Sequence, residues 1–180
     1  MQKLNPREMA LWGLFLIVAA AMALVATLGG GDDLVGGDAP AFAARDAKTG
    51  ELVELERLRG RVVILNVYAT WCGPCKMEIP DLASFHQRNL TKNRPIQVYG
   101  VVFESGEADE ALTATEKLGA NYPILMGTPH IFERYHLRSY PTTLVIDPRG
   151  HVIARHEGLV DLQMLEDWSM DALTHGGGAG

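Results

Sequence analysis

The chain has 180 residues, 47% of them hydrophobic and 21% charged, with a formal net charge of −6. This is enough chain for one domain with a real core, and the acidic balance without a basic cluster argues against nucleic acid as a partner. Two cysteines are too few for a disulfide scaffold, so the core must supply the stability.

Residues 1–8 carry Lys3, Arg7 and Glu8, and are followed by twenty uncharged residues from Met9 to Leu28. As a helix these would span about 30 Å, the hydrocarbon thickness of a bilayer. Asp32 and Asp33 follow, and the next cation is Arg45. The positive-inside rule therefore places residues 1–8 in the cytoplasm and the remainder outside. A cleaved signal peptide is the rival, with Ala19-Ala20-Ala21 or Ala21-Met22-Ala23 as the cleavage site, but the apolar stretch exceeds the usual signal-peptide core. An uncleaved anchor is the expectation, and both readings export the domain. Residues 29–38, rich in glycine, read as a flexible spacer. The domain itself is expected over residues 39–173, and residues 174–180 read as a flexible tail.

Within the domain, Phe42 and the stretch Glu51 to Leu58 are expected to form an extended segment or hairpin turned at Lys48-Thr49-Gly50. The apolar run Val62 to Ala69 reads as a buried strand. A helix is predicted from about Gly73 to Asn89, kinked at Pro80. Ile96 to Val102 is a second continuous apolar run, typical of a sheet covered on both faces. Asp109 to Leu118 reads as a helix ended by Gly119, Tyr122 to Met126 as extended chain, and Pro129 to Tyr135 as a short helix. Thr142–Asp147 and His151–His156 are strands joined by the turn Pro148-Arg149-Gly150. Asp161 is placed to cap a last amphipathic helix with Leu162, Leu165, Trp168 and Leu173 inward. This order makes an α/β fold with a central mixed β-sheet and helices on both faces.

The chemistry sits in Trp71-Cys72-Gly73-Pro74-Cys75, which contains both cysteines. A strand that delivers Cys-x-x-Cys to a helix start is a site for reversible thiol–disulfide exchange. Backbone N–H groups at the helix N-terminus stabilise an anionic sulfur, so Cys72 is the expected nucleophile. Cys75, one turn on, is the expected resolving thiol. The other readings of the pair are weaker. A structural zinc site needs four ligands, and no second Cys pair or His-x₃₋₅-His exists. Haem attachment needs His after the second Cys, where Lys76 stands. A purely structural disulfide over so short a loop constrains little. Pro74 suits a first-turn position and stiffens the turn, and Gly73 lets a partner's backbone approach. Trp71 is expected to be half-buried, part hydrophobic platform and part core. Glu78 shares a helix face with Cys75. The six histidines are scattered without ligand spacing to the cysteines, so no metal or cofactor is assigned.

The order of elements around the cysteine pair resembles the thioredoxin fold over residues 39–173. It is most similar to the membrane-anchored thioredoxin-like proteins of the TlpA, ResA and DsbE type. The motifs that carry the resemblance are Ala39-Pro40-Ala41-Phe42, Leu65 to Cys75, Glu78-Ile79-Pro80, Tyr140-Pro141-Thr142-Thr143 and Leu144 to Gly150, with an inserted helix and strand over Asp109–Met126. The resemblance implies that Pro141 is the cis-proline facing the cysteines. Tyr140 departs from the small aliphatic residue more usual there and is expected to reshape the substrate groove. It also implies that Asn66 stands where thioredoxins bury an Asp, and that Glu78 replaces that carboxylate as proton acceptor for Cys75. Gly-Pro between the cysteines goes with reductants more than oxidants.

The resemblance therefore implies an exported, membrane-tethered thiol–disulfide reductase in the bacterial cytoplasmic membrane, its domain periplasmic or otherwise extracytoplasmic. Its partners would be oxidised protein thiols, apocytochrome c among them, and a membrane electron donor for re-reduction. The alternative is a copper-handling thiol protein for cytochrome oxidase assembly, because a reduced Cys pair binds Cu(I) well. Insulin reduction set against Cu(I) affinity separates the two. A thiol peroxidase would need Pro-x-x-x-Thr-x-x-Cys, which is missing. In the reduced protein, iodoacetamide should modify Cys72 well before Cys75. Cys72→Ser should abolish turnover, and Cys75→Ser should trap mixed disulfides visible on a non-reducing gel. An active Cys72→Ser, or a Cys75→Ser that traps nothing, would refute the exchange mechanism.

Overall fold

The computed structural model describes residues 12–13, 15–21 and 34–176, and the chain divides into two units at residue 33. In the first unit, residues 12–13 and 15–21 are helical. The expected span Met9–Leu28 lies largely outside the described residues, and among those described no helix is long and apolar enough to cross a membrane. The last residues of the expected tail, 177–180, also lie outside them.

The second unit is built on a five-stranded sheet. Its strands are β3 (Val62–Tyr68), β4 (Ile96–Val102), β5 (Ile124–Met126), β6 (Thr142–Ile146) and β7 (Val152–Glu157), in the order β5-β4-β3-β6-β7. β3, β4 and β5 are mutually parallel, while β6 runs antiparallel to β3 and β7 antiparallel to β6. Two short strands, β1 (Ala43–Arg45) and β2 (Leu52–Glu54), form a separate antiparallel hairpin. The helices are α1 (Gly73–Thr91), α2 (Ala108–Glu116), α3 (Pro129–Arg134) and α4 (Leu162–Gly176), with a 3₁₀ turn over Leu55–Leu58.

All seven residues of β3 are buried, because it lies centrally and both faces are covered. The period of two along a strand divides its side chains between two cores. Val62, Ile64 and Tyr68 pack with Ile79, Leu82 and Phe85 of α1, Ala111 of α2 and Leu165 of α4. Val63, Leu65 and Val67 pack on the other face with Phe42, Leu55, Ile131 and Tyr135. The helices therefore cover both faces, three on the first, with α3, the 3₁₀ turn and the hairpin on the second. Gly100 of β4 permits this closeness: a Cβ there would sit 3.0 Å from both Ile124 and Tyr68 side-chain atoms.

Several boundaries differ from the sequence reading. The stretch Glu51–Leu58 is extended only to Glu54, because Leu55 turns into the core and draws the chain into the 3₁₀ helix. The end of the presumed spacer is pinned to β7. Gly36 donates to Val152 O at 2.7 Å, Val152 donates to Gly37 O at 3.0 Å, and Ala39 donates to Gly150 O at 2.8 Å. These backbone bonds make residues 36–39 part of the domain and not free tether. α1 runs on to Thr91, past its expected end at Asn89 and with Pro80 inside it, and α4 runs on to Gly176, past the expected start of the tail. The turn before β7 is fixed by Asp147, whose Oδ1 accepts from the N–H groups of Arg149 and His151, both at 2.9 Å. Asp161 caps α4 as expected, its Oδ1 accepting from Met164 N at 2.8 Å.

Leu82 is fully enclosed between α1 and the sheet, whereas Leu90 on the same helix is exposed. Leu82→Ala should cost about 2–5 kcal/mol of unfolding free energy through the cavity it leaves. Leu90→Ala should stay within about 0.5 kcal/mol. Urea midpoints at unchanged slope would measure both.

Candidate active site at the start of helix α1

The chain leaves β3 at Tyr68, makes a turn closed by Cys72 N donating to Ala69 O at 3.1 Å, and enters α1 at Gly73. Cys72 is the N-cap residue, and its Sγ accepts from Cys75 N at 3.2 Å. One N–H of the first turn thus meets the Cys72 sulfur, at the helix end that favours negative charge. The two cysteines are disulfide-bonded, with an S–S distance of 2.12 Å. Cys75 is wholly buried, while Cys72 retains 6% of its surface. Pro74 occupies the first helical turn, and nothing lies within 4 Å of the position a Cβ would take on Gly73. A partner's backbone meets open space there.

Two other segments converge on this turn. The Tyr140–Pro141 peptide is cis, and the Tyr140 ring meets Trp71 edge-on with centroids 5.9 Å apart. Pro141 is buried and leads directly into β6. Its carbonyl accepts from Gly158 N at 2.9 Å. The loop after β4 braces the turn from the other side: Thr70 N donates to Ser105 Oγ at 2.8 Å, and Trp71 Nε1 donates to Glu104 O at 2.9 Å. Trp71 is 60% exposed, so it is a surface platform and not core. Its indole N–H holds it against the loop. Ser105 and Glu104 were not read from the sequence as site residues. Their position just past a parallel strand's C-terminal end, where ligands gather in such sheets, was the available signal.

One turn beyond Cys75, Glu78 points into the sheet with 1% of its surface exposed. It is not a solvated surface carboxylate. Asn66 Nδ2 donates to its Oε1 at 2.7 Å, and Val160 N donates to its Oε2 at 3.1 Å. Asn66 Nδ2 also donates to Thr143 Oγ1 at 3.0 Å, so β3, β6 and α1 share one buried polar cluster. Burial raises the Glu78 carboxyl to about 7, and the bonds from Asn66 and Val160 hold it from rising further. Glu78 is therefore poised to exchange a proton near neutral pH. Sequence reading located Asn66 and Glu78 separately; that they bond to each other, with Thr143 and Val160 completing the cluster, is visible only in three dimensions. Among the described residues no group of three or more His, Cys, Asp or Glu side chains is placed to hold a metal ion.

The profile of the AhpC/TSA family matches residues 35–155. The thiol-disulfide oxidoreductase ResA of Bacillus subtilis is 33% identical over 135 residues, which cover 74% of this chain and 73% of its own. The thioredoxin-like protein YneN of the same organism is 31% identical over 133 residues, 73% of this chain and 76% of its own. A Chlorobium tepidum crystal structure described as a DsbE thiol:disulfide interchange protein superposes with a TM-score of 0.68 at 29% identity. That match covers 77% of this chain and 97% of the other. On this similarity, and with a disulfide where the fold presents its redox pair, the chain belongs to the AhpC/TSA family of thioredoxin-like proteins and is a thiol–disulfide oxidoreductase.

Proposed function

We propose that the protein works as a reductase of protein disulfides outside the cytoplasm, held at the bacterial cytoplasmic membrane by residues 9–28. The observation that carries the mechanism is the buried Glu78 one turn below Cys75, hydrogen-bonded and poised near neutrality. Cys72, as thiolate, attacks one sulfur of the substrate disulfide. The substrate's other sulfur leaves as a thiolate and takes a proton. Cys75 then passes its proton to Glu78 and attacks Cys72 Sγ, breaking the mixed disulfide. The second substrate sulfur leaves as a thiolate and takes the proton held on Glu78, so the substrate departs with two thiols, Glu78 is reset, and the Cys72–Cys75 disulfide remains. Two electrons and two protons from a membrane donor restore the dithiol.

The substrate segment would lie along the cis-proline, since Pro141 has no N–H to compete for its backbone. Trp71, Gly73, Pro74 and Tyr140 would contact that segment. Reduction of apocytochrome c before haem attachment is the task the family resemblance suggests. The membrane reading is supported by the twenty uncharged residues and by Lys3 and Arg7 preceding them. A tether would keep the domain near its electron donor, which matters where the surroundings are oxidising.

If reduction is the task, glutathione equilibration should give a potential below roughly −200 mV, and a value near roughly −120 mV would make the protein an oxidant instead.

Glu78→Gln tests the proton route. Single-turnover reduction should slow by about 10²-fold at neutral pH, and the inflection of the pH–rate profile near 7 should vanish. Superimposable profiles would remove Glu78 from the mechanism. The same variant reports on stability. Glu78 is raised from 4.5 to about 7 on folding, so the folded oxidised state holds a proton that the unfolded state releases between those values. Stability is therefore greatest below pH 4.5 as far as this group is concerned, and falls as pH rises through 7. Relative to Glu78→Gln, the wild type should lose about 3 kcal/mol across that window, measurable by urea unfolding at pH 4 and pH 8.

A further inference from the structure

On the Tyr140 side of Trp71 lies a cavity that thiol exchange alone does not use. Tyr140, edge-on to Trp71, stacks on Phe103 with centroids 6.4 Å apart, and Phe103 meets Phe132 edge-on at 5.6 Å. These rings line a cavity of about 360 Å³ whose other walls include Gly127, Glu104 and Glu133. The Phe103 ring fills the space over Gly127, where a Cβ would come within 2.5 Å of it. The aromatic wall is thus set by close packing against backbone. Glu104 and Glu133 are exposed. Neither carboxylate makes an ion pair among the described residues. Among the described residues that line the cavity, Glu104 and Glu133 are the charged ones, and no Lys or Arg is among them. Glu104 adds to burial in raising the Tyr140 phenol, which places its charge close to the ring.

We infer that this cavity is a specificity pocket for a Lys or Arg side chain flanking the disulfide of the substrate. The inference rests on the reductase reading above. Aromatic faces attract a cation through their quadrupole, and the two carboxylates add direct charge. The aliphatic stem of Lys or Arg covers apolar ring surface while its charged end reaches the carboxylates. A substrate with Glu in that place meets repulsion, so the pocket selects as well as binds. Tyr140 supplies the wall nearest Trp71, and thereby couples the pocket to the residue preceding Cys72.

The test uses the reduced full-length protein and disulfide-bridged peptides identical except for Lys, norleucine or Glu beside one cysteine. The second-order rate should be about tenfold higher for Lys than for norleucine, and lowest for Glu. The Lys preference should shrink as salt rises. It should fall to near one in the Glu104→Gln/Glu133→Gln double variant, and Glu133→Lys should favour the Glu peptide. Equal or faster reduction of norleucine would make the cavity an apolar subsite and overturn the inference. A Lys preference that survives the double substitution would do the same. Reduction of none of the peptides would overturn the reductase reading and the pocket with it, so the two failures are told apart.

Discussion

A strand buried on both faces has to hand its chain to a helix without leaving polar backbone stranded. β3 does so between Tyr68 and Gly73, and the placement of the site follows from that junction. Tyr68 is the last residue of β3 that the sheet pairs, and Cys72 caps α1, its sulfur accepting from Cys75 N. The cysteine at the cap therefore gains what the helix start has to offer, a backbone donor and the positive end of the helix dipole. Because α1 packs flat against the sheet through Ile79, Leu82 and Phe85, the second cysteine one turn on is forced inward. The asymmetry between an accessible and an enclosed sulfur is thus a consequence of helix packing.

The same packing explains Glu78. A residue three places after Cys75 shares its inward face, and would ordinarily be apolar. A carboxyl is tolerated because Asn66, on the alternate face of β3 from Leu65 and Val67, meets it with an amide N–H. Val160 supplies a second donor from the segment before α4. Two donors do not replace full hydration, so the charged form stays costly and the proton affinity rises. Buried polar groups of this kind reduce stability in exchange for chemistry, a trade common at functional sites.

The surroundings of the pair come from two distant stretches. Trp71 rests on the loop after β4 through its indole N–H, and the cis Tyr140–Pro141 turn rests on Trp71 through ring contact. Each of these segments lies at the end of a strand next to β3, because β4 and β6 are its two neighbours in the sheet. The order of strands decides which loops frame the cysteines, and hence which side chains a partner would meet.

Much of this was legible in the chain itself. β4 was readable to the residue and β3 to within one, because a central strand covered on both faces is a continuous apolar run. The redox pair was legible because Cys-x-x-Cys after such a run has few other uses, and the cap at Asp161 and the turn at Gly150 are local chemistry. Cis Pro141 and the importance of Glu78 came from resemblance, since neither spacing nor period reveals an isomer or a proton acceptor. Tertiary structure alone decided the rest. Burial of Glu78 against Asn66 needs a helix laid over a strand, and exposure of Trp71 needs a loop to hold its indole. Residues 36–39, glycine-rich and apparently free, are fixed by backbone bonds to β7 that no composition announces. Local propensity and hydrophobic period act over a few residues and are written in order along the chain. Proton affinity, exposure and the shape of a groove are set by groups tens of residues apart, and exist only once the sheet has brought them together.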